Sequence, residues 1–578
     1  MQIITMVKWL LRMHIGTFGL IKVIWKKLFQ PAHAHEMSAK EDDLESLMSH
    51  LGEFGKYQLF QITLLVLTSF TSGMHTMSII PINGIPNHRC QVPWLENGTN
   101  LPWDSTTARA VIPLNPDGSY SSCLLINPDT NATEACTKWV YDRTDFKDTR
   151  TVEWNLVCDK KWLGSLSKSI FMLGVFTGSF ALGYVADKYG RKKTQCWTQT
   201  IQLIVSIGIA FVNNYYAYLA ASFVYGIFGS VGAYIPAFVL GMELVGPSKR
   251  TACGQIFQAI FAVGIMVVAA WAYFIPSYVT LQVVIGLHVL VTISLWWLID
   301  ESPRWLWSQG RIAESVNIVA KAVKFNGGEK IDRAYYVSKG KAKTASAEST
   351  PSAGFLDLFK TPRLRMRMIN LAYNWFTDSI AYYGLSLASD SMVGNPFFIL
   401  FVLGLVEVPS CILVILLLDR TGRRPLRSIM LLLGAVSCAI VAVIPKDMPN
   451  LITAVACLGK FFVTGGFAII FNYSAELLPT VVRNVGVGFS SAMARLAAML
   501  CPIILLLNSV DKSLPTIIFA LSAFSSGFFT LFFPETLNKP MPQSMEDGEN
   551  FGLGDTAFNT CCSKKKATDG YETPAYPI

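Results

Sequence analysis

The feature that most constrains this chain is a series of apolar runs, each about as long as a helix that crosses a bilayer, roughly 20 residues. Hydrophobic residues make up 52% and charged residues 15% of the 578 residues, so a water-soluble domain would expose too much apolar surface. We therefore predict an all-α membrane protein with 12 transmembrane helices. The predicted spans are residues 58–83, 163–186, 194–213, 215–240, 252–275, 279–299, 366–389, 396–418, 426–444, 451–473, 484–508 and 514–533.

Lysine and arginine are distributed unevenly between alternate links, and this predicts the orientation in the membrane. The links near 213–216, 275–279 and 389–396 contain neither residue type, and those near 446 and 512 contain one lysine each. By the positive-inside rule, the basic links and both termini face the cytoplasm. The basic links hold Lys188, Arg191, Lys192 and Lys193, then Lys249 and Arg250, then Arg420, Arg423, Arg424 and Arg427, then Arg483.

The polar segments divide the chain into five parts. Residues 1–57 form a cytoplasmic N-terminal segment, and its apolar, basic first 30 residues favour a helix lying on the inner leaflet. Residues 58–299 form a first half of six helices, followed by a cytoplasmic linker over 300–365. Residues 366–533 form a second half of six helices, and 534–578 form a cytoplasmic tail.

The first half contains a long polar link, residues 84–160, on the predicted outer side. Its four cysteines are Cys90, Cys123, Cys136 and Cys158. An even number of cysteines in an exported loop predicts two disulfides, and three pairings are possible. Asn97 and Asn131 each begin a glycosylation sequon. A glycosylated, disulfide-bonded loop favours the plasma membrane, and a vesicle membrane satisfies the same observations.

An internal repeat relates the two halves. The sequence DKYGRKK at 187–193 recurs as DRTGRRP at 419–425, and a glutamate followed seven residues later by an arginine occurs at 243 and again at 476. Offsets of 232 and 233 residues between these charged motifs indicate two homologous halves. Parallel halves related by an axis along the membrane normal are typical of one large class of transporters, and they support alternating access.

The charged residues of this repeat are predicted to act as a gate. Acids and arginines at the cytoplasmic surface can pair when that side closes and separate when it opens. The alternative is that they only fix topology and loop shape. The candidate gating residues are Asp187, Arg191, Glu243, Arg250, Asp419, Arg423, Glu476 and Arg483.

Charges inside predicted spans are candidates for substrate binding, because they are costly in lipid. Trp375, Asp378 and Tyr382 share one helical face, and an aromatic–acid–aromatic face suits an ammonium group. Arg495 suits a carboxylate, because its guanidinium can bind both oxygens. A site with both features would hold a zwitterion. The alternative is that Asp378 or Glu407 pairs with Arg495 structurally.

Three motifs carry a resemblance to a known family. They are EWNLVC at 153–158, YNWFT at 373–377 and AELLPTVVRN at 475–484. On these motifs, and on the large cysteine-bearing loop, the chain resembles the organic cation, carnitine and organic anion transporter family of the major facilitator superfamily over residues 50–540.

The resemblance implies a central cavity between the halves, lined at positions that match Tyr234, Trp375, Tyr382, Glu407 and Arg495 here. In this family, strict cation transporters carry an acid at the position of Arg495, whereas the carnitine-like and anion-transporting branches carry an arginine. The resemblance therefore favours a zwitterion such as carnitine or an amino-acid relative, with a plain organic cation second. Na⁺ and H⁺ are the candidate coupling ions.

Three other classes of function compete with this one. A sugar transporter shares the fold but does not need an arginine and acids in its cavity. A non-transporting receptor or scaffold could use the outer loop, although gating motifs in both halves argue against it. An enzyme is disfavoured, because no Ser-His-Asp arrangement, Walker loop or metal-ligand cluster is evident, and no cofactor is expected. The basic residues form no groove with interleaved aromatics, which argues against a nucleic-acid partner.

Overall fold

The structure is a computed structural model. It describes residues 43–96, 101–114, 120–128, 131–346, 355–392, 394–445, 448–511, 513–539, 541–553 and 555. The predicted surface helix within residues 1–30 lies outside the described residues, as do Asn97 and most of the tail beyond residue 553.

Long helices coincide with all the predicted spans. In the first half they are α1 Lys56–Met77, α2 Lys161–Tyr189, α3 Arg191–Ala210, α4 Tyr215–Leu244, α5 Pro247–Phe274 and α6 Tyr278–Leu298. In the second half they are α7 Pro362–Leu387, α8 Pro396–Thr421, α9 Arg423–Val443, α10 Pro449–Leu477, α11 Arg483–Leu506 and α12 Leu514–Thr530. A π-helical turn, Ile227–Gly232, interrupts α4.

Nine of the described helices are long and apolar enough to cross a membrane. The exceptions among the predicted spans are α3, α7 and α12. Of these, α12 is shorter, with 17 residues. Helix α7 carries buried polar side chains, including Asn374 and Asp378. The chain is therefore an all-α, membrane-spanning protein, and the count of twelve spans stays a prediction.

The helices form two bundles that meet along symmetric pairs of helices. Within the first half, α1 packs against α5, α2 against α4, and α3 against α6. Within the second half, α7 packs against α11, α8 against α10, and α9 against both α10 and α12. Between the halves, α2 contacts α11 and α5 contacts α8. In the repeat, α2 is equivalent to α8 and α5 to α11. The α2–α11 and α5–α8 interfaces are therefore equivalent to each other, as the repeat in the sequence requires.

The long link between α1 and α2 folds into a small outer domain. Strand β1 (His88–Cys90) pairs antiparallel with β4 (Trp139–Tyr141), and β2 (Leu124–Ile126) pairs antiparallel with β3 (Thr133–Ala135). Disulfides join Cys90 to Cys136 and Cys123 to Cys158. The prediction of two disulfides is thus confirmed, and the structure selects one of the three possible pairings.

A buried arginine anchors the outer domain to the first half. Arg150 is only 1% exposed, and its guanidinium donates to the carbonyl oxygens of Ile209 at 2.8 Å, Ala210 at 3.0 Å and Val212 at 2.6 Å. These carbonyls lie at the C-terminal end of α3, where a cation is favoured by the free carbonyl groups and the helix dipole. The guanidinium also lies over the ring of Tyr278, 4.4 Å from its centroid.

The opposite end of the molecule, called here the basic end, carries the repeated charged links and several short helices. Those next to the first half are Asp43–Ser49, Pro303–Ser308, Ile312–Asn326 and Arg333–Ser346. Met545–Asn550 lies against the second half, where Glu549 accepts from the backbone N–H groups of Arg363 and Leu364 at the start of α7.

We predict that Arg150→Ala destabilises the protein by an amount on the order of 2 kcal/mol, because three carbonyls lose a charged donor in a buried position. The expected result is a lower melting temperature of the detergent-solubilised protein, measured by a fluorescence thermal shift. Arg143→Ala is the matched control, since Arg143 is an exposed arginine of the same domain. Equal melting temperatures for the two variants would show that Arg150 does not hold the domain in place.

Candidate transport site

An ion pair between Asp378 and Arg427 lies fully buried in the second half. Arg427 Nη2 donates to Asp378 at 2.6 Å, and neither side chain is exposed. Ser526 of α12 donates to the other carboxylate oxygen at 2.6 Å. Asn374, one turn earlier on α7, accepts from Arg427 at 2.9 Å. Protein groups therefore bind both oxygens of Asp378.

The prediction that Arg427 belongs to a basic surface link is wrong. Helix α9 begins at Arg423, directly after Gly422, so Arg427 lies one turn inside the helix. Its side chain is fully buried against α7 and α12. An arginine can occupy this position because Asp378 neutralises it and three neighbours accept its hydrogen bonds.

A second buried ion pair joins Glu407 of α8 to Lys460 of α10. Their nearest charged atoms are 2.9 Å apart, with side-chain exposures of 4% and 0%. The Tyr382 hydroxyl donates to the same carboxylate at 2.9 Å. Lys460 Nζ donates to Ser386 Oγ at 2.7 Å and lies 3.2 Å from the centroid of the Tyr382 ring. This group thus joins helices α7, α8 and α10.

Arg495 of α11 differs from these two cations, because it forms no ion pair among the described residues. Its Nη1 donates to the carbonyl and hydroxyl oxygens of Ser491, one turn earlier in the same helix. Its charge interacts with the phenol groups of Tyr234 on α4 and Tyr383 on α7. The proposed structural pairing of Arg495 with Asp378 or Glu407 is wrong, because those acids have other partners.

Tyr234, one of the two tyrosines that interact with this arginine, packs against several aromatic rings. Tyr234 is half-buried, and its ring lies 5.9 Å from that of Phe238 and 6.4 Å from those of Phe257 and Phe261. Tyr383 interacts electrostatically with both Arg495 and Glu407. Tyr234 and Tyr383 come from different halves, so both halves contribute to this group.

Trp375 occupies a more enclosed position on α7. It is 1% exposed, and its indole N–H donates to Ser474 Oγ of α10 at 2.9 Å. Phe471 lies against it with ring centroids 4.5 Å apart. Trp375 thus connects α7 to α10, two turns from Tyr382 along the same helix.

The predicted gating residues form two matching clusters at the basic end. Arg191 binds both Asp187 at 2.9 Å and Glu243 at 3.2 Å. Arg423 binds both Asp419 at 3.1 Å and Glu476 at 3.0 Å. Each cluster ties a link between two helices to the end of a third helix in the same half, α4 in the first half and α10 in the second.

Each cluster includes a glycine turn and a further acid. Gly190 and Gly422 have φ values of 104° and 94°, which favour glycine because a Cβ atom would be strained there. Glu301 accepts from the N–H groups of Arg191 and Lys192, at the start of α3. Glu535 does the same for α9, where Arg423 and Arg424 donate their N–H groups. The two glutamates accept hydrogen bonds from N–H groups that have no partner within the helix, and their negative charges are favoured at a helix N-terminus.

The other two gating candidates bind carbonyls. Arg250 Nε donates to the carbonyl of Val245 and Arg483 Nε to that of Leu478, at 3.3 Å and 3.2 Å. They thereby cap the ends of α4 and α10. The like charge of Arg250, in the other half, acts unfavourably on Arg483.

Lys460 and Tyr383 are the site residues that the sequence analysis leaves out. Lys460 lies inside the apolar run 451–473, so the rule that selects Asp378 and Arg495 could have selected it. Tyr383 follows a selected tyrosine and has no charge, and only the positions of α4 and α11 reveal its role.

Comparisons with known proteins agree with this architecture. The family described as "Sugar (and other) transporter" matches residues 125–546. The proton:xylose symporter XylE, solved with 6-bromo-6-deoxy-D-glucose, aligns with a TM-score of 0.57 at 16% identity, covering 86% of this chain and 99% of that one. The fold is therefore that of the major facilitator superfamily.

Two curated relatives are similar over nearly the whole chain. "Organic cation transporter protein" of Drosophila melanogaster is 36% identical, covering 88% of this chain and 95% of the relative. "Organic cation/carnitine transporter 2" of Homo sapiens is 33% identical, covering 87% and 93%. The chain belongs to the organic cation and carnitine transporter group of the sugar (and other) transporter family. Members of this family are transporters and not enzymes.

We predict that Asp378→Asn impairs folding, because it leaves Arg427 charged and uncompensated in a buried position, a defect that costs about 3–5 kcal/mol. Surface biotinylation should show reduced expression of this variant. The double variant Asp378→Asn/Arg427→Gln should recover much of it.

Asp511→Asn, at an exposed acid between α11 and α12, is the control and should express normally. If Asp378→Asn reaches the surface normally but takes up no substrate, Asp378 contacts substrate, as the aromatic–acid–aromatic face in the sequence suggested.

Proposed function

We propose that this protein is a secondary transporter that carries small organic zwitterions across the membrane by alternating access. The substrate class is a solute with a carboxylate at one end and an ammonium group at the other, as in carnitine or an amino-acid relative. The observation that carries the proposal is Arg495, a half-buried cation of α11 that forms no ion pair among the described residues.

The balance of charge around Arg495 supports a substrate with a carboxylate. Arg495 and Lys460 contribute two positive charges and Glu407 contributes one negative charge, which leaves one positive charge in excess. A carboxylate at Arg495 neutralises this excess through a charge-assisted, two-pronged hydrogen bond. A simple cation would instead raise the positive charge of an enclosed, low-dielectric region.

The aromatic residues near Arg495 supply a partner for the ammonium end. The rings of Tyr234, Phe238 and Phe261 form a cluster on α4 and α5, and Tyr234 adjoins Arg495. Ring faces attract quaternary and primary ammonium groups. Placed between Arg495 and these rings, one zwitterion would contact helices of both halves.

The second candidate is a strict organic cation transporter. The Drosophila relative is named an organic cation transporter, and Glu407 provides an acid that a cation could use. Glu407, however, already pairs with Lys460, whereas Arg495 has no acid partner within the described ranges. The human relative, named for organic cations and carnitine, fits a site that binds a carboxylate.

The proposed setting is the plasma membrane, with both termini in the cytoplasm. The disulfide-bonded domain and the exposed Asn131 lie opposite the basic end, as the positive-inside rule and extracellular oxidation require. Na⁺ and H⁺ remain the candidates for the coupling ion.

The two charge clusters at the basic end are proposed to act as the cytoplasmic gate. Arg191 and Arg423 each hold two acids, which fixes the short links at the ends of α4 and α10. The facing charges of Arg250 and Arg483 favour separation of the halves at the same end. The ion pairs would hold the links within each half together. Repulsion between Arg250 and Arg483 would favour the state in which the halves are apart at this end.

We predict that Arg495→Ala abolishes uptake of labelled carnitine, because the substrate carboxylate loses the cation that binds it. Arg495→Lys should retain a fraction of the uptake. Uptake into cells expressing each variant, corrected for surface protein, is the measurement. A quaternary ammonium cation measured in parallel should not lose uptake in Arg495→Ala. If the wild type moves only the cation, and Arg495→Ala leaves that uptake intact, the strict organic cation function is correct.

We predict that Arg191→Ala and Arg423→Ala each lower the maximal transport rate about tenfold, the equivalent of one lost charge-assisted hydrogen bond. The substrate concentration at half-maximal rate should change little, because neither residue adjoins Arg495. Lys193→Ala removes an exposed charge from the same link and serves as the control. Normal rates in both arginine variants would mean that the clusters fix loop shape only.

A further inference from the structure

The tip of the outer domain, formed by Asp145 and Phe146, reaches the second half of the molecule. Asn395 Nδ2 donates to the Asp145 carboxylate at 2.7 Å. The Phe146 ring meets the Phe397 ring nearly at a right angle, with centroids 5.1 Å apart. Asn395 precedes the first residue of α8 and Phe397 lies in its first turn, so the tip bridges the two halves at the outer end.

The tip is anchored on the first half by contacts close to it in the chain. The Phe146 ring lies directly against the backbone of Gly84, where any larger side chain would collide with the ring. A few residues further along, Arg150 donates to the carbonyls at the end of α3. Thr151 donates to the carbonyl of Asn83 at 3.2 Å. The tip is therefore fixed at both ends and moves with the first half.

The contact of the tip with the second half is smaller and less completely packed. Its hydrogen bond lies at the exposed Asp145, whereas the hydrogen bonds of Arg150 to Ile209 and Ala210 are buried. Beside the two rings is a cavity of about 250 Å³, lined by residues of the tip and of α5, α6 and α8. An exposed hydrogen bond and a ring edge next to a gap break more readily than a buried, charged anchor. When the halves part at this end, we expect the contact between the tip and α8 to break.

The partner on α8 is also held in place. The Asn395 side-chain oxygen accepts from the N–H groups of Phe397 and Phe398, each at 3.1 Å, and so caps the helix. Its nitrogen is thereby directed away from the helix and towards Asp145. Each side of the contact is thus positioned by its own half, and the contact can form again without rearrangement of either half.

We propose that Asp145 and Phe146 form an outer latch, which holds the outer side closed through Asn395 and Phe397 and is released once in each transport cycle. The inference rests on the proposed transport function by alternating access, in which the outer ends of the two halves must separate to admit substrate. It adds the device that controls this separation. The latch is closed in this structure.

The first test fixes the latch in its closed form. The double variant Asp145→Cys/Asn395→Cys is treated with a bis-methanethiosulfonate reagent whose ethylene spacer replaces the hydrogen bond. We expect uptake of labelled carnitine to fall about tenfold or more, because the halves cannot part at this end, and to return on reduction. The two single variants and the wild type, treated alike, should keep their uptake.

Two outcomes of this test would overturn the inference. Normal uptake by the fully cross-linked protein would mean that the contact stays closed throughout the cycle. Failure of the reagent to join the two cysteines, measured by their continued reaction with a maleimide, would mean that the tip and the start of α8 do not meet.

The second test follows opening without any substrate. Leu400, one turn beyond Phe397 on α8, is only 1% exposed, so Leu400→Cys places a thiol behind the latch. The rate at which a membrane-impermeant maleimide labels this thiol on intact cells measures opening of the outer side. Adding Asp145→Ala should raise this rate about fivefold, the effect of losing one hydrogen bond. Asp104→Ala, at another exposed acid of the outer domain, is the matched control and should leave the rate unchanged.

The two tests separate the latch from the proposed function. Absence of carnitine uptake by the untreated wild type would overturn the proposed function, and the labelling rates then still decide whether the latch exists. Equal labelling rates with Asp145→Ala and Asp104→Ala, in variants that both reach the surface, would overturn the latch. If Leu400→Cys does not reach the surface, the cross-linking test, which leaves Leu400 in place, decides the question.

Discussion

A charge in the interior of a membrane-spanning bundle must be matched by an opposite charge or by a ligand, and this requirement organises the second half of the molecule. Asp378 and Arg427 neutralise each other between α7, α9 and α12. Glu407 and Lys460 do the same between α8 and α10. Since one ion pair joins α7 to α9 and the other joins α8 to α10, breaking either one removes a contact and also leaves a charge that low-dielectric surroundings penalise.

The two halves share the charge clusters at the basic end but differ in the polar groups of their interiors. The clusters at Arg191 and Arg423 match in their acids, their glycine turns and the glutamates that cap the next helix. Around α1 of the first half, by contrast, neutral hydrogen bonds connect Gln195 to Thr68 and His75 to Tyr225. The repeat is thus retained in the charged links at the basic end, whereas the polar groups inside the two halves differ.

The sequence predicts the helices well because apolar length is a local property. Every predicted span contains a helix, and both outer disulfides form among the expected cysteines. Pairing between helices is not local, which is why Asp378 could be selected as a buried acid while its partner was unknown. Arg427 was grouped with Arg420, Arg423 and Arg424 in one basic link, whereas α9 starts at Arg423 and carries Arg427 inward. Lys460 shows the opposite case. The rule that selects charges inside apolar spans is local and could have selected it, but the sequence analysis left it out.

The anchoring of the outer domain has a mechanical consequence. Arg150 holds this domain to the ends of α3 and α6, whereas its contacts with the second half include a single hydrogen bond from Asn395 to Asp145 and the edge contact of Phe146 with Phe397. During rocking, the domain must travel with the first half and slide over the start of α8. Any mass attached to this domain, such as a bound antibody, would therefore load the first half only.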